Sequence, residues 1–301
     1  MSKLLFIGGT GFLGQSFFDC LNKGKIKQPK LTKIYVISRH GNKIKSKVKT
    51  LNVKKNITNL KQLPLTDYII YAANSSNNNE NIKGVKKFIN LLTEQHKKTK
   101  IIFTSSGAVY GPSKIKKKFK EKDSVTFFKV NKFNGYKKNY AKSKIKIENE
   151  FKKLGKQGFN VSIARLFTFV GEKILQNKSF AVSNLIDQAQ NFKKKHIYLS
   201  SSNDVYRGYM NSEDLIKWII KIMIKSSNKC EIYNVGSDEA ISIKKLANFI
   251  SKKYKKKISF VKNSNSKSDD YYVPSILKAK NKLNLKIKYK IKDSLKRLKI
   301  I

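Results

Sequence analysis

The sequence predicts an α/β fold, a doubly wound parallel sheet followed by a smaller α+β lobe toward the C-terminus. Three observations predict it. Short, apolar, β-rich runs alternate with segments of helical period through the first half of the chain, the pattern of a parallel sheet covered by helices. A glycine-rich stretch, Gly8-Gly9-Thr10-Gly11-Phe12-Leu13-Gly14, falls between the first such run and the first helical segment. The alternation is lost over residues 171–203 and again after about residue 254, where a second unit is expected.

Taken in order, strands are predicted over 4–8, 33–38, 67–72, 100–105 and 160–167, with a weak strand near 48–53. Helices are predicted over 12–22, 79–96 and 140–154. A helix over 212–224, a strand over 231–235 and a helix over 243–253 follow. Residues 1–168 are thus expected to build the sheet domain, with 204–240 returning to it, while 169–203 and 241–301 build the lobe.

Of the 301 residues, 40% are hydrophobic, enough to fill a core. Two cysteines, Cys20 and Cys230, exclude a disulfide scaffold and a Cys-rich zinc site. Three scattered histidines, His40, His96 and His196, speak against a His-based site, so no metal is expected. No apolar run approaches the ~20 residues of a membrane span, and the one at the N-terminus is too short for a signal peptide. A cytoplasmic globular protein with no membrane partner is expected. Lys and Arg total 66 against 19 Asp and Glu, a net charge of +47, which ordinarily points to nucleic acid or an anionic membrane. Yet only Arg39, Arg165, Arg207 and Arg297 are arginines, and Arg is the residue whose planar fork grips phosphates and base edges. The lysines run along the whole chain beside abundant Asn and Ile, the composition that A/T-rich codons produce. No specific nucleic-acid partner is expected, although such a surface attracts anionic ligands.

The glycine stretch sits where a strand gives way to a helix. In that context Gly8 permits a tight turn, Gly11 lets the backbone approach a pyrophosphate, and Gly14 lets the helix pack closely. The helix start, with Thr10, Phe12 and Leu13, then offers N–H groups to phosphates. This is the dinucleotide-binding arrangement of a Rossmann-type domain. At the end of the second strand, where an acidic residue would hold the ribose hydroxyls of NAD, stand Ser38 and Arg39. A hydroxyl and a guanidinium suit the 2′-phosphate of NADP, so NADP is the expected cofactor and NAD the alternative. A solvated surface arginine is the competing explanation of Arg39.

Tyr140 and Lys144 are four residues apart in a predicted helix and share a face. A phenol with a pKa of ~10 is a poor base near neutrality; a neighbouring ammonium lowers that value and lets the phenol exchange a proton. Thr104-Ser105-Ser106-Gly107-Ala108-Val109-Tyr110-Gly111 closes a predicted strand, placing small hydroxyl residues at the sheet edge where such folds bind ligands. Glycine loop, Ser-Ser-Gly-Ala-Val-Tyr-Gly segment and Tyr-x-x-x-Lys occur in that order. Together with Arg165-Leu166-Phe167-Thr168-Phe169-Val170-Gly171, the Arg207 to Asp214 segment and Tyr233-Asn234-Val235-Gly236-Ser237, they resemble the extended short-chain dehydrogenase/reductase family, its NAD-dependent epimerase/dehydratase group. The likeness spans nearly the whole chain.

That resemblance implies a nicotinamide cofactor in the first domain, a nucleotide-sugar in the lobe, and a place in polysaccharide biosynthesis. It implies Tyr140 as the acid/base, Lys144 as the residue that tunes Tyr140 and holds the nicotinamide ribose, and Ser106 as a hydrogen-bond partner of the reacting sugar oxygen. Ala72 and Ala73 would line the cofactor, and Arg207 would meet the substrate diphosphate. Departures narrow the chemistry. Gly107 and Ala108 stand where 4,6-dehydratases carry Asp-Glu, so elimination of water lacks its proton carriers. Asn56 replaces an Asp that contacts adenine, and Thr168 replaces an Asn facing the sugar. A late Arg is not evident, and Tyr271 and Tyr272 occupy a similar stretch. The candidate functions are an NADPH-dependent 4-ketoreductase of a nucleotide-linked keto-sugar, a nucleotide-sugar 4-epimerase, and a non-catalytic NADP-binding sensor. The retained Tyr–Lys pair argues against the third. A homodimer is compatible with all of them.

Overall fold

The structure, a computed structural model, describes residues 2–39, 44–175, 180–200, 205–261 and 270–301. His40 lies outside them. The first domain begins β1 (Ser2–Ile7), α1 (Phe12–Asn22), β2 (Leu31–Ser38), β3 (Lys49–Lys54), β4 (Tyr68–Tyr71), α2 (Asn78–Asn90) and β5 (Lys100–Ser106). It continues with α3 (Phe127–Val130), α4 (Gly135–Lys156), β6 (Asn160–Leu166) and β7 (Thr168–Val170). The later elements are α5 (Glu172–Leu175), α6 (Ala181–Gln190), β8 (His196–Leu199), β9 (Val205–Arg207), β10 (Tyr209–Asn211) and α7 (Ser212–Ile224). They end with β11 (Glu231–Val235), β12 (Ile241–Ser242), α8 (Ile243–Tyr254), β13 (Lys257–Phe260), β14 (Asp270–Tyr272), α9 (Leu277–Leu283) and α10 (Ile291–Arg297).

Seven parallel strands form the main sheet in the order β11-β6-β5-β4-β1-β2-β3. Strands with both faces covered must be apolar at nearly every position, and β1 is: Leu4 and Phe6 enter one core with Phe17 and Trp218, while Leu5 and Ile7 enter the other with Phe88 and Phe151. On the second face Phe103 stacks on Phe151 at 4.6 Å, fixing α4 over β5. The edge strand β3 has no fully buried residue, only Thr50 and Val53 being half-buried, which accounts for its weak sequence signal. The direction of strand addition reverses between β1 and β4, and Ile7 is level with both Tyr71 and Ile37. The carboxyl ends of these strands therefore open a crevice at the switch point, where such sheets bind ligands.

Two helix boundaries differ from the expected ones. The helix expected over 79–96 stops at Asn90, because Thr93 and His96 form a capping box that starts a separate 3-10 turn over Glu94–Lys98. The helix expected from Tyr140 begins at Gly135, which puts Tyr136 one turn before Tyr140 and stacks their rings at 5.9 Å.

The lobe has its own core, built from Val182, Leu185 and Ile186 of α6, Leu246 and Ile250 of α8, and Ile291 and Leu295 of α10. Its strands form three small sheets: β10 with β7, β13 with β8, and β12-β9-β14. The stretch 204–240 divides, since β9 pairs within the lobe whereas α7 and β11 pack into the main sheet. Beyond β14, Ile276, Ala279, Leu283 and Leu285 share the core of α1 and α7, so α9 also belongs to the first domain by packing. Among the described residues no helix is long and apolar enough to cross a membrane, and no cluster of His, Cys, Asp or Glu is arranged to hold a metal.

Asp214, buried on α7, accepts hydrogen bonds from the backbone N–H groups of Lys288 (2.9 Å) and Tyr289 (3.0 Å), pinning the final helical segment to the first domain. Asp214→Ala leaves both donors without that acceptor and is expected to cost about 1–3 kcal/mol. Thermal unfolding and limited proteolysis of the tail check this; an unchanged Tm with an equally protected tail would refute it.

Candidate active site

A cavity of about 860 Å3 runs along the carboxyl edge of the sheet, from Ser38 and Arg39 at one end to Arg207 and Asp270 at the other. Its floor is the glycine loop. Gly8 has φ +85°, and a Cβ there would lie 2.6 Å from the Ala73 nitrogen, so a side chain would fill the crevice between the ends of β1 and β4. Gly11 caps α1 with no side-chain partner, and the first turn carries no acidic residue; Thr10, Gly11, Phe12 and Leu13 at this helix start line the cavity. Phe12 stacks on Phe169 of β7 at 4.8 Å, tying the loop to the start of the lobe. Gly14 lies outside the cavity: a Cβ there would overlap the Gly9 carbonyl, so this glycine serves helix packing and touches no ligand space. The remaining cradle, with Ala72 and Ala73 along its side, fits a dinucleotide.

At the far end of that cradle Arg39 is already engaged. Its guanidinium donates to Glu80 (3.2 Å), to the Ser75 hydroxyl (3.2 Å) and to the Asn74 carbonyl (3.4 Å). Ser38 and Glu80 line the same wall. Asn56 reaches this end as well, with its side-chain oxygen accepting from the Thr58 N–H.

The opposite face is set by α4. Tyr136, Tyr140, Lys144 and Glu148 recur every four residues, which aligns them along one side of the helix. Burial deepens along that line, from exposed Tyr136 through half-buried Tyr140 to buried Lys144 and Glu148. Ser106 closes β5 and lines the same cavity as Tyr140. The Ser106 oxygen also accepts from the Ala108 N–H at 3.2 Å, capping the 3-10 turn over Gly107–Tyr110. Lys144 donates to the Thr104 carbonyl at 3.4 Å and stands 5.5 Å from the centre of the Tyr140 ring. Catalytic Ser, Tyr and Lys candidates thus converge on one stretch of the cavity wall.

Their electrostatics differ from the expectation. Burial pushes the Lys144 ammonium down to about 8, with Glu148 opposing the drop. The Tyr140 phenol is held above its ordinary value by burial, against a lowering by Ser106 and with a further rise from Tyr136. The expected lowering by Lys144 is not what governs it, because that ammonium is turned to Thr104.

Two residues that the sequence did not place in catalytic roles complete this end. Tyr272, from β14, is packed against Phe167 with ring centres 4.6 Å apart and lines the cavity beside Gly107. A Cβ on Gly107 would fall 2.6 Å from the Phe167 ring and 2.7 Å from the Tyr272 hydroxyl. Arg207, the expected diphosphate ligand, pairs with Asp270 at 2.6 Å and also donates to the Tyr206 carbonyl at 2.7 Å. The only sequence signal for Tyr272 was its position where a late Arg was missing.

The sheet order, the switch-point crevice and the Ser–Tyr–Lys wall define a nicotinamide-dependent enzyme of Rossmann type. The sequence profile of the NAD dependent epimerase/dehydratase family matches residues 4–236, and the chain belongs to that family. No curated protein matches it in sequence. Among solved structures it is similar to dTDP-glucose 4,6-dehydratase from Bacillus anthracis in complex with NAD, with a TM-score of 0.80 and 19% identity over 99% of this chain and 95% of that one. It is also similar to MoeE5 in complex with UDP-glucose and NAD, at a TM-score of 0.78 and 13% identity over 98% and 96%. UDP-glucose 4-epimerase from Thermotoga maritima with UDP-glucose gives a TM-score of 0.74 and 18% identity, again over 98% and 96%. At these identities the likeness establishes the shared fold.

Because the folded Lys144 value lies below its ordinary 10.5, the folded chain holds fewer protons than the unfolded chain between pH 8 and 10.5, and this site's penalty fades as pH rises through that window. Glu148 keeps Arg165 and Ser105 as partners when Lys144 is replaced. Lys144→Met is therefore expected to stabilise the fold at pH 7 by roughly 3 kcal/mol, with the gain shrinking by pH 10.5. Denaturant unfolding at the two pH values checks this; a destabilised variant at pH 7, or a gain independent of pH, contradicts it.

Proposed function

We propose that this chain catalyses redox chemistry at carbon 4 of a nucleotide-activated sugar, as a 4-ketoreductase, with Ser106, Tyr140 and Lys144 as the catalytic set. The observation that carries this reading is the crowding at Gly107. The Phe167 ring and the Tyr272 hydroxyl occupy the space any side chain there would need, so the acid of a dehydratase has no room, and Ala108 beside it carries no proton. Proton exchange at a sugar hydroxyl or carbonyl remains, and Tyr140, which lines the cavity with Ser106 and Lys144, is the phenol assigned to it.

In this proposal Gly8, Thr10, Gly11, Phe12, Leu13, Ala72 and Ala73 hold the nicotinamide cofactor, which when bound supplies or accepts the hydride. Tyr140 gives its proton to the sugar oxygen as the carbonyl is reduced. Ser106 hydrogen-bonds that oxygen, and Lys144 holds the nicotinamide ribose. Arg207 receives the diphosphate by exchanging Asp270 for it. In the reverse sense the same groups oxidise the hydroxyl, which is the first half of an epimerisation.

The adenosine end supports a second reading. Glu80 neutralises Arg39, so a 2′-phosphate must displace or oppose a carboxylate, whereas the hydroxyls of NAD need not. That favours a 4-epimerase, which uses its cofactor transiently. Removing the carboxylate charge in Glu80→Gln is expected to strengthen NADP binding roughly tenfold with little change for NAD, since a charge-assisted hydrogen bond contributes about 1.5–3 kcal/mol. Arg39→Ala is expected to weaken NADP alone. Titration of both cofactors against both variants decides it, and parallel changes for NAD and NADP would refute the assignment of this end.

Tyr140→Phe is expected to lower turnover by at least ~10²-fold, the smaller end of general acid–base effects, with cofactor binding largely kept. The assays are a 4-keto-6-deoxy nucleotide sugar with NADPH, and separately a nucleotide hexose with no added reductant. Turnover confined to the first supports the reductase, and turnover confined to the second supports the epimerase. Undiminished activity in Tyr140→Phe removes the mechanism.

A further inference from the structure

We infer that the rim of the cavity formed by α3 and the start of α4 is a docking surface for an anionic lipid bilayer. Three aromatic rings are left in water along this rim: Phe128 is 74% exposed, Tyr136 54% and Phe127 44%. Scattered single apolar residues are ordinary on a surface, whereas a cluster of large rings marks a contact. The local structure holds these rings in place. Thr126 caps α3 by accepting from the Lys129 N–H, and Val130 is wholly buried in one cluster with Val109 and Tyr110. A Cβ on Gly111 would lie 2.8 Å from the Lys129 carbonyl, so α3 is packed tightly on the segment that follows β5. Tyr136 lines the cavity, and so does Phe180, the exposed residue that precedes α6, so the exposed rings border its mouth.

The charge around the rings selects the partner. Residues 124–147 hold seven lysines and no aspartate, glutamate or arginine, and only Lys144 of the seven is buried. Lys129 donates to the Ser124 hydroxyl at 2.7 Å, and Lys132 stands 5.3 Å from the centre of the Phe128 ring; both are held by uncharged groups that leave their charge in place. Apolar rings set among cations match a bilayer surface, where the acyl boundary takes the rings and the lipid phosphates take the ammonium groups. A lysine stem lies along apolar surface with its head in the polar layer, and a tyrosine suits the level at which one end is dry and the other wet. A second copy of this chain would set like charge against like. A nucleic acid is ordinarily gripped by arginine forks, and no arginine lies in the segment. Lying on a surface needs no spanning segment, and the lack of one is why no membrane partner is expected from the sequence. Docked in this way, the cavity opens toward the headgroup layer.

Phe128→Trp puts an indole on the rim, while the native Trp218 is buried in the core shared by α1 and α7 and does not report on the surface. The probe is vesicles in which about a third of the lipid is phosphatidylglycerol and the rest phosphatidylcholine, with no cofactor or substrate added. The emission of Phe128→Trp is expected to shift to the blue on mixing and to be quenched by a nitroxide near the top of the acyl chain. By co-sedimentation, Phe127→Ser together with Phe128→Ser is expected to weaken binding by roughly tenfold or more, and Lys132→Gln together with Lys137→Gln by a similar factor. Lys221→Gln together with Lys225→Gln removes the same charge from α7, which packs on the other face of the sheet. That pair lies beyond the screening length from the rim and is expected to change binding by less than about twofold. Absence of a blue shift overturns the inference, and so does an equal loss from the two lysine pairs, which would show attachment by net charge alone. The same shift with oligothymidine, or on raising protein concentration without lipid, gives the rim to a nucleic acid or to a second copy and overturns it as well. Turnover plays no part in these readouts, so failure here leaves the proposed reaction standing.

Discussion

Glu148 and Arg165 are both almost wholly removed from water, a placement that costs several kcal/mol per ion unless the charges are paired and hydrogen-bonded. Here they are. Arg165 grips Glu148 through Nε at 3.0 Å and Nη2 at 2.7 Å, and Ser105 donates to the same carboxylate at 2.7 Å. The third nitrogen of Arg165 donates to the Tyr110 hydroxyl, which donates in turn to Asn234, each at 2.8 Å. Five elements meet in this chain of bonds: α4, β5, β6, the turn after β5, and β11. Rotating α4 by even one side chain would strand a buried charge. The network therefore holds the Tyr140–Lys144 face of α4 against the end of β5, and the position of Ser106 relative to Tyr140 follows from it.

A second pattern concerns charge. The chain carries +47 overall, yet each of its four arginines has a carboxylate: Arg39 with Glu80, Arg165 with Glu148, Arg207 with Asp270, and Arg297 with Glu213. Lysines supply the excess. Long-range attraction of an anion falls off over a Debye length of about 8 Å at physiological ionic strength, so surface lysines bring phosphates toward the cavity without selecting among them. Under the proposed function, selection falls to the paired arginines at its two ends, where an incoming phosphate would have to compete with an internal carboxylate.

The lobe contributes a wall to the active site as well as a binding surface. Tyr272 lies level with Arg207 in the β14–β9 pair, so one small sheet carries the guanidinium proposed to meet substrate and the phenol that lies against Gly107. The rings of Phe119, Phe167 and Tyr110 pack behind that phenol, and the space at Gly107 is occupied as a result. The chemistry open to the site is thus narrowed from the lobe side.

Much of this was legible from local pattern. The inner strands of the main sheet are continuous apolar runs because both their faces are buried, and such runs are visible one residue at a time. The glycine loop and the Tyr140–Lys144 pair are likewise short-range signatures, since turn geometry and a helical repeat of 3.6 residues act over a few positions. What the sequence could not disclose lies in contacts between distant segments. Glu80 reaching Arg39, Asp270 reaching Arg207, α9 returning to the core of α1 and α7, and Tyr272 arriving beside Gly107 each join parts of the chain with no shared periodicity. Lys144 shows the same division within one residue. Its four-residue spacing from Tyr140 is written in the sequence, but its burial, and the turn of its ammonium to the Thr104 carbonyl instead of the phenol, arise only when α4 is packed on β5 and water is excluded.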